Sequence, residues 1–513
     1  MNQDFENKIK SIIGKFKIND FDFVINKSKI LLKKNSNNDF LWNIQGLSFQ
    51  YKGEYIKSIN CFKKAIQFNP ENFSSKNNLG NSYKYLKDFT KAEKCFNEIL
   101  EIEPNYINAL INLGNLKIDL NTFDEAVIYL NKALKLDKDN VNIYINLANA
   151  YMGSGELPKA KEILLVVLKM NPSLTRADKM LSDLSKSDES VDEHLNQMLI
   201  KLKELNLNDE QKVNLYFAIA KKYDDKKEYE MSFEFLSNGN KLQRKNITYN
   251  TKDYETLSSS IKAYFSNYKY GQKTTYSSNK KVIFVLGMPR SGTTLTENII
   301  SSHSKVASLG ELNFIGNQMR TSVTNNFTLN SDLVVDFLKE DFYQSYFDHL
   351  KPFKISKSIV VDKSLDNFWY IGFIKNIFPN SKIIHCQRNP KDICLSIFKN
   401  LFNQSQGWHC NEEELADYYN IYSDLMQFWN NELKDEILNL QYEDLTKNTE
   451  HEIKKIINFC DLDWEENCLN FYKNKNPIKT LSVNQANKPI YQSSVNSFLF
   501  YKKELNALFS RLK

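Results

Sequence analysis

VIFVLGMPRSGTTLTENII, residues 282–300, joins an all-apolar run to a glycine loop and a helix start. The apolar run is typical of a strand buried on both faces of a parallel sheet. Gly287 and Gly292 have the spacing of a phosphate-binding loop, in which backbone N–H groups and a helix N-terminus hold an anion. Thr293 and Thr294 stand where an ATP or GTP loop carries Lys and then Ser or Thr. The stretch therefore predicts an anion site without the usual loop lysine.

Arg290 lies inside this loop, although the chain contains few arginines. The 68 basic residues include only six arginines: Arg176, Arg244, Arg290, Arg320, Arg388 and Arg511. A guanidinium donates to two anionic oxygens at once, which an ammonium group cannot do with fixed geometry. We expect Arg290 to bind two oxygens of one anionic group.

Strand and helix patterns alternate after the loop. The predicted strands lie within 282–286, 357–364, 381–390 and 436–445, and the predicted helices within 291–302, 366–378 and 391–402. This alternation predicts a central parallel sheet with its loops gathered at the strand ends.

The N-terminal part repeats every 34 residues. The repeated positions are Gly46, Gly80, Gly114 and Ala148; Phe62, Phe96, Leu130 and Leu164; and Pro70, Pro104 and Pro172. In each unit the pattern predicts two helices that cross at a small residue. This pattern resembles the tetratricopeptide repeat (TPR). We expect four domains or segments: a TPR array at 1–185, a further helical, TPR-like segment at 186–266, a linker at 267–281 and an α/β domain at 282–513.

Composition and charge disfavour several classes of protein. A net charge of +6 without a basic block does not favour nucleic-acid binding. The seven cysteines are odd in number and include no CxxC pair, so neither a disulfide framework nor a zinc site is indicated. The sequence shows no pattern of a signal peptide or a membrane span, and we expect a cytoplasmic protein.

Two motifs of the second half resemble the sulfotransferases that use 3′-phosphoadenosine 5′-phosphosulfate (PAPS). GMPRSGTT resembles their 5′-phosphosulfate loop, and CQRNPKDICLS resembles their 3′-phosphate motif. The ordered set is most similar to protein-tyrosine and TPR-linked bacterial sulfotransferases. Its further members are Gly310–Glu311, Asp362–Lys363, Tyr442–Glu443 and the group Ser482, Gln485 and Pro489.

The resemblance implies an α-helical TPR solenoid followed by a P-loop-like sulfotransferase domain that needs no metal. It implies catalytic roles for Glu311 as general base, for Lys363 beside the departing phosphate and for Arg290 on the phosphosulfate. The residues that it assigns to PAPS are Pro289, Arg290, Ser291, Gly292, Thr293, Thr294, Arg388, Ser396, Tyr442 and Ser482. Within this set, Arg388 and Ser396 would bind the 3′-phosphate.

Several alternatives stay open at this point. His303 is the rival base, although its place at a helix end favours a capping role. Ser497 and Phe498 stand where the family carries a basic residue near a tryptophan, and that charge is either absent here or supplied by Lys488 or Lys502.

The function also has two rivals, a P-loop phosphotransferase and a non-catalytic TPR scaffold. The acceptor would be a hydroxyl or amine of a protein, peptide, saccharide or metabolite. The TPR groove would bind a protein or peptide, and a homodimer is left open.

Overall fold

The computed structural model forms two compact units. One contains Met1–Glu156 with Lys351–Phe353, and the other contains Leu157–Leu350 with Lys354–Lys513. The structure describes residues 3–184, 190–266, 268, 280–322, 324–325, 327–329, 340–353, 355–402, 406–473, 490 and 494–513.

The first unit is built from α-helices that pack as consecutive pairs. They are α1 (Gln3–Lys17), α2 (Phe21–Leu32), α3 (Asp39–Tyr51), α4 (Tyr55–Phe68), α5 (Phe73–Tyr85), α6 (Phe89–Ile102), α7 (Ile107–Asp119), α8 (Phe123–Leu136) and α9 (Val141–Ser154). This confirms the predicted helical TPR array.

The repeated glycines are explained by the distance between paired helices. A Cβ atom at Gly80 would lie 2.5 Å from the Phe96 ring, and one at Gly114 would lie 2.7 Å from Leu130 Cγ. Real carbon atoms do not approach so closely, so a side chain at Gly80 or Gly114 would require the facing side chain or the helix pair to shift.

The second unit begins with six further helices. They are α10 (Leu157–Met170), α11 (Thr175–Leu184), α12 (Ser190–Glu204), α13 (Asp209–Asp225), α14 (Tyr229–Arg244) and α15 (Thr251–Phe265). Helices α13 and α14 form the helix pair that the sequence predicts at 213–245. A Cβ atom at Gly239 of α14 would lie 3.1 Å from the Phe217 ring of α13, which repeats the close crossing of the array.

The centre of the second unit is a five-stranded sheet in the order β2-β5-β1-β6-β7, with parallel pairing throughout. Its strands are β1 (Lys281–Leu286), β2 (Val306–Ser308), β5 (Ile359–Asp362), β6 (Lys382–Gln387) and β7 (Ile437–Gln441). The parallel sheet is confirmed; the three-residue edge strand β2 was not predicted. A second, two-stranded sheet consists of β3 (Thr324–Asn325) and β4 (Thr328–Leu329).

Helices cover the sheet and connect its strands. They are α16 (Thr293–Ser301), α17 (Phe314–Ser322), α18 (Glu340–Leu350), α19 (Ile371–Ile377), α20 (Pro390–Phe398), α21 (Glu412–Leu433), α22 (Tyr442–Lys447), α23 (Thr449–Phe459), α24 (Glu466–Leu469) and α25 (Asn506–Arg511). The helix predicted at 366–378 is shorter than expected, because Leu365–Tyr370 forms a 3-10 helix before α19.

The sheet core places the polar loops at one edge. Val285, Ile384 and Leu440 from three neighbouring strands are buried together with Ile453 and Ile456 of α23. Because all five strands are parallel, their carboxyl ends meet at the same edge, where the loops after β1, β2, β5, β6 and β7 gather.

Candidate active site

The loop after β1 takes a backbone path that glycine permits. Gly287 has φ 142° and Gly292 has φ 101°, both outside the range that other residues adopt freely. A Cβ atom at Gly287 would lie 2.6 Å from the carbonyl oxygen of Cys386 in β6. The loop therefore lies directly against the neighbouring strand and leads into α16 within a few residues.

The loop and the start of α16 present hydrogen-bond donors to one place. Helix α16 has no side-chain cap on its N-terminal N–H groups, and an uncapped helix start favours an anion. Ser291, Thr293 and Thr294 are buried beside it. Among the described residues, the Ser291 hydroxyl has no hydrogen-bond partner. A buried hydroxyl of this kind fits a ligand that accepts its hydrogen bond.

Arg290 of this loop contacts Arg388, which follows β6. Arg290 Nε donates to Ser396 Oγ at 2.9 Å, and Arg388 Nη1 donates to the Arg290 carbonyl oxygen at 3.2 Å. Arg388 is only 8% exposed, and its Nε has no partner in the part of the chain that the structure describes. The Arg388 guanidinium thus contacts the backbone of Arg290, whose own side chain bonds Ser396. Two cationic side chains on adjoining loops fit a ligand with more than one negative charge.

Tyr442 closes one side of this cluster. The Arg388 guanidinium lies over the Tyr442 ring, with Cζ 4.7 Å from the ring centroid. A Cβ atom at Gly292 would lie 2.8 Å from Tyr442 Cδ2, so the ring also packs against the loop. The Tyr442 hydroxyl is 3.1 Å from Ser494 Oγ. The structure thus brings Arg290, Arg388, Ser396 and Tyr442 into one cluster.

A second cluster forms around Lys363, directly after β5. Lys363 is 0% exposed, and its Nζ donates to Glu311 Oε1 at 2.6 Å. The Glu311 side chain is 39% exposed. A half-exposed carboxylate beside a buried ammonium group can receive a proton from a molecule that enters from solvent.

Glu297 of α16 is a member of this cluster that the sequence reasoning missed. Its Oε2 lies 3.8 Å from Lys363 Nζ, and its Oε1 accepts from Ser308 Oγ at 2.6 Å and from the Gly310 N–H at 2.9 Å. Burial raises the pKa of Glu297. The sequence offered one signal for Glu297, which is the single acidic residue in the largely apolar stretch after the glycine loop. Glu297 links α16 to the turn that carries Glu311.

Asp362 supports Lys363 from the end of β5. Its Oδ1 accepts from the Ser364 N–H at 3.0 Å and from Ser364 Oγ at 2.6 Å, while Oδ2 accepts from the Tyr346 hydroxyl at 3.1 Å. Burial raises the pKa of Asp362 to about 6. These bonds fix the turn that follows β5 and carries Lys363.

His303 occupies a different environment from Glu311. It is fully buried, its Nδ1 accepts from the Lys305 N–H at 3.1 Å, and its Nε2 lies 3.0 Å from the Asp463 carbonyl oxygen. With Nδ1 as acceptor, Nε2 carries the proton and donates it to that carbonyl. Both ring nitrogens are therefore engaged in hydrogen bonds to the backbone, which fix the chain just after α16.

The remaining predicted residues are placed as follows. Pro289 lies in the loop before Arg290, and Ser497 Oγ donates to Asp392 Oδ1 at 3.0 Å. Lys502 is exposed. Ser482, Gln485, Lys488 and Pro489 lie outside the described residues.

Two broader features of the described chain bear on its chemistry. No group of three or more His, Cys, Asp or Glu side chains in it is arranged to hold a metal ion. None of its helices combines the length and apolar character that a bilayer crossing requires.

Comparison with known proteins relates both parts of the chain to families. Residues 282–466 match the model of the sulfotransferase family. Residues 41–72, 71–139 and 117–184 match models of the tetratricopeptide repeat.

Individual proteins are similar over different shares of the chain. An "Uncharacterized protein" of Aquifex aeolicus (strain VF5) is 31% identical over 375 residues, which are 70% of this chain and 48% of that protein. This chain thus spans about half the length of that relative. A "Putative protein-tyrosine sulfotransferase" of Caenorhabditis briggsae is 25% identical over 202 residues, 38% of this chain and 70% of that protein.

One solved structure is also similar in part. The crystal structure of a tetratricopeptide repeat protein from Parabacteroides merdae ATCC 43184 covers 47% of this chain and 94% of its own, with 18% identity and a TM-score of 0.37.

Proposed function

We propose that this chain, which joins tetratricopeptide repeats to a domain of the sulfotransferase family, transfers a sulfuryl group from PAPS to a hydroxyl or amine acceptor. The observation that carries the proposal is the 2.6 Å contact between buried Lys363 and half-exposed Glu311, at the same sheet edge as the glycine loop. An anion site, a cation for the leaving group and an accessible base are the three parts that this transfer needs.

The anion site fits the two charged groups of PAPS. The loop N–H groups, Ser291 and Arg290 would hold the 5′-phosphosulfate, as backbone and side-chain donors converge there. Arg388 and Ser396 would select the 3′-phosphate, which ATP lacks. The Ser396 bond to Arg290 supports one continuous donor site.

The composition of the loop disfavours a phosphotransferase. A nucleoside triphosphate site uses the loop lysine on the β- and γ-phosphates and a following Ser or Thr on Mg²⁺. Here Thr293 stands in place of that lysine.

Glu311 and Lys363 would have different roles in the same transfer step. Glu311 takes the proton of the acceptor hydroxyl while the acceptor oxygen forms a bond to sulfur. The bond from sulfur to the 5′-phosphate oxygen breaks, and its electron pair stays on that oxygen. Lys363 stabilises the new charge. Lys363 bonds only one oxygen of Glu311, so the carboxylate keeps lone pairs for the acceptor proton, and the ammonium group keeps further N–H donors for the departing phosphate.

The proposal also covers how the acceptor reaches the transferase domain. We expect the TPR groove to present a protein, peptide or saccharide to the transferase domain, since the concave face of a repeat array is suited to extended ligands. All seven cysteines are free and buried, which supports a reducing compartment, the cytoplasm.

The test measures turnover and donor binding separately. The full-length protein is incubated with sulfur-labelled PAPS and cell extract, and binding of the product 3′-phosphoadenosine 5′-phosphate (PAP) is measured by calorimetry. Glu311→Gln keeps shape and hydrogen bonding but removes the base, so turnover should fall about 10²-fold or more while PAP affinity stays unchanged.

His303→Gln is the matched control, because it changes the rival base and keeps a hydrogen-bonding side chain. It should retain most of the turnover. Reversed results for the two variants would make His303 the base. Loss of PAP binding in Glu311→Gln would make Glu311 a structural residue.

A further inference from the structure

The last described segment of the chain runs from the donor site to the helix pair α13–α14. We call residues 494–501 the C-terminal strap. At its first residue, Arg388 Nη2 donates to the Ser494 carbonyl oxygen at 2.5 Å, and the Tyr442 hydroxyl is 3.1 Å from Ser494 Oγ. One end of the strap therefore contacts two residues of the proposed donor site.

Asp392 of α20 holds the middle of the strap. Its Oδ2 accepts from the Asn496 N–H at 2.7 Å, and its Oδ1 accepts from Ser497 Oγ at 3.0 Å and from the Phe498 N–H at 2.9 Å. Asp392 is 0% exposed. A buried carboxylate with three donors, two of them backbone N–H groups, fixes the local path of the chain.

The far end of the strap is anchored on α13 and α14. The Tyr501 hydroxyl donates to Asp224 Oδ1 at 2.6 Å, and the Phe500 ring stacks on Tyr229 with centroids 4.8 Å apart. Lys399 Nζ donates to the same Asp224 oxygen at 2.6 Å. Tyr501 is 1% exposed, so its hydroxyl bond to Asp224 is largely shielded from water, and loss of one partner there is costly.

Helix α20 shares its anchors with this connection. It carries Asp392 near its start and Ser396, which bonds Arg290, in its last turn. Lys399 follows directly after the helix, and Asn240 of α14 donates to the Phe398 carbonyl oxygen at 2.9 Å. Both α20 and the strap are thus tied to donor-site residues and to α13–α14.

We propose that helices α13 and α14 set the affinity for the donor from outside the donor site, with Asp224, Tyr501 and Asp392 as positioning residues. The proposal rests on the proposed function for the identity of the donor. Bonds at both ends of α20 and of the strap transmit a change at Asp224 to Arg388, Tyr442 and Ser396. Coupling of this kind travels through packed elements and hydrogen-bonded charges.

The test compares variants of the full-length protein in PAP binding by calorimetry. Tyr501→Phe removes one hydroxyl and keeps the ring, and Asp392→Asn removes an acceptor from the strap. Each should weaken PAP binding about threefold to thirtyfold, the range for residues that couple to a site without touching the ligand. The KM for PAPS should rise by the same factor, with kcat little changed.

Arg511→Gln is the matched control. It breaks the exposed ion pair of Arg511 with Asp417 in the same C-terminal stretch but none of the strap contacts. PAP affinity should stay within about twofold of wild type, as is usual for surface substitutions. An equal loss in Arg511→Gln would mean that general loosening of the C-terminus, and not the strap, weakens binding.

A second readout separates positioning from mere stability. PAP should protect the wild-type strap from limited proteolysis, and this protection should need more PAP in Tyr501→Phe. If the wild-type protein bound no PAP, the donor assignment would be wrong and this proposal with it. If it bound PAP and Tyr501→Phe bound PAP equally tightly, only the coupling would be overturned.

Discussion

Replacing Gly292 with alanine tests whether the glycine loop and Tyr442 form one unit. Gly292 has φ 101°, and a Cβ atom there would lie 2.8 Å from Tyr442 Cδ2. The alanine methyl group must therefore push the Tyr442 ring away or change the loop. Because the Arg388 guanidinium lies over that ring, either change also disturbs the donor site.

The cost has two parts. A non-glycine residue in this backbone region costs about 1–3 kcal/mol, and an extra methyl group in a packed site costs about 1–3 kcal/mol. The two together predict a loss of about 2–6 kcal/mol in the free energy of unfolding, less whatever the loop regains by shifting. PAP affinity should fall at least about tenfold, which corresponds to about 1.4 kcal/mol.

Gly53→Ala is the control that isolates the backbone cost. Gly53 has φ 76°, and no atom lies within 4 Å of the place of its Cβ. It should lose about 1–2 kcal/mol of stability, from the left-handed conformation alone, and bind PAP as wild type does.

The assays are denaturant unfolding and PAP calorimetry on the three proteins. The reasoning would be refuted if Gly292→Ala were no less stable than Gly53→Ala and bound PAP normally. A loss of stability with unchanged PAP affinity would separate Tyr442 from the donor site.

Three other perturbations probe the rest of the molecule. Wild-type protein should bind PAP far more tightly than ADP, and Arg388→Ala should lose this preference because the 3′-phosphate then lacks its partner; equal calorimetric affinities for the two nucleotides in wild type would contradict the assignment. Burial raises the pKa of Asp362 from 3.8 to about 6, so its contribution to stability is present near pH 4 and is lost as the pH rises through 6. Relative to Asp362→Asn, the wild-type free energy of unfolding should fall by about 2 kcal/mol between about pH 4 and pH 7, and a constant difference would mean an ordinary pKa. Gly114→Ala should destabilise the array by about 1–3 kcal/mol, and in Gly114→Ala/Leu130→Ala the total loss should be smaller than the sum of the single losses, since the shortened side chain makes room for the methyl group; additive losses would argue against that contact.

Much of the architecture could be predicted because its signals are local or periodic. The 34-residue spacing of Gly80 and Gly114 reflects a close crossing that favours a small residue, and the apolar run before Gly287 reflects a strand covered on both faces. The sequence also carried the order of the motifs, so Arg290, Lys363 and Arg388 could be named as site residues. Their proposed roles stay predictions.

Other features depended on tertiary contacts between residues distant in sequence. The edge strand β2 has only three residues, which are too few to show the alternation of apolar and polar residues that identifies a strand. Glu297 becomes a partner of Lys363 only because α16 and the end of β5 meet, although 66 positions separate the two residues.

The repeat array, the parallel sheet and the charged residues at its edge could therefore be inferred from sequence, because periodicity and local backbone conformation depend on neighbouring residues. Which of these charges contact one another depended on the folded chain. It paired Lys363 with Glu311 and Glu297, placed Ser396 on Arg290 and tied the C-terminal strap to Asp392 and Asp224. The reason is physical: a buried charge is stable only beside its partners, and chain folding, not sequence distance, selects those partners.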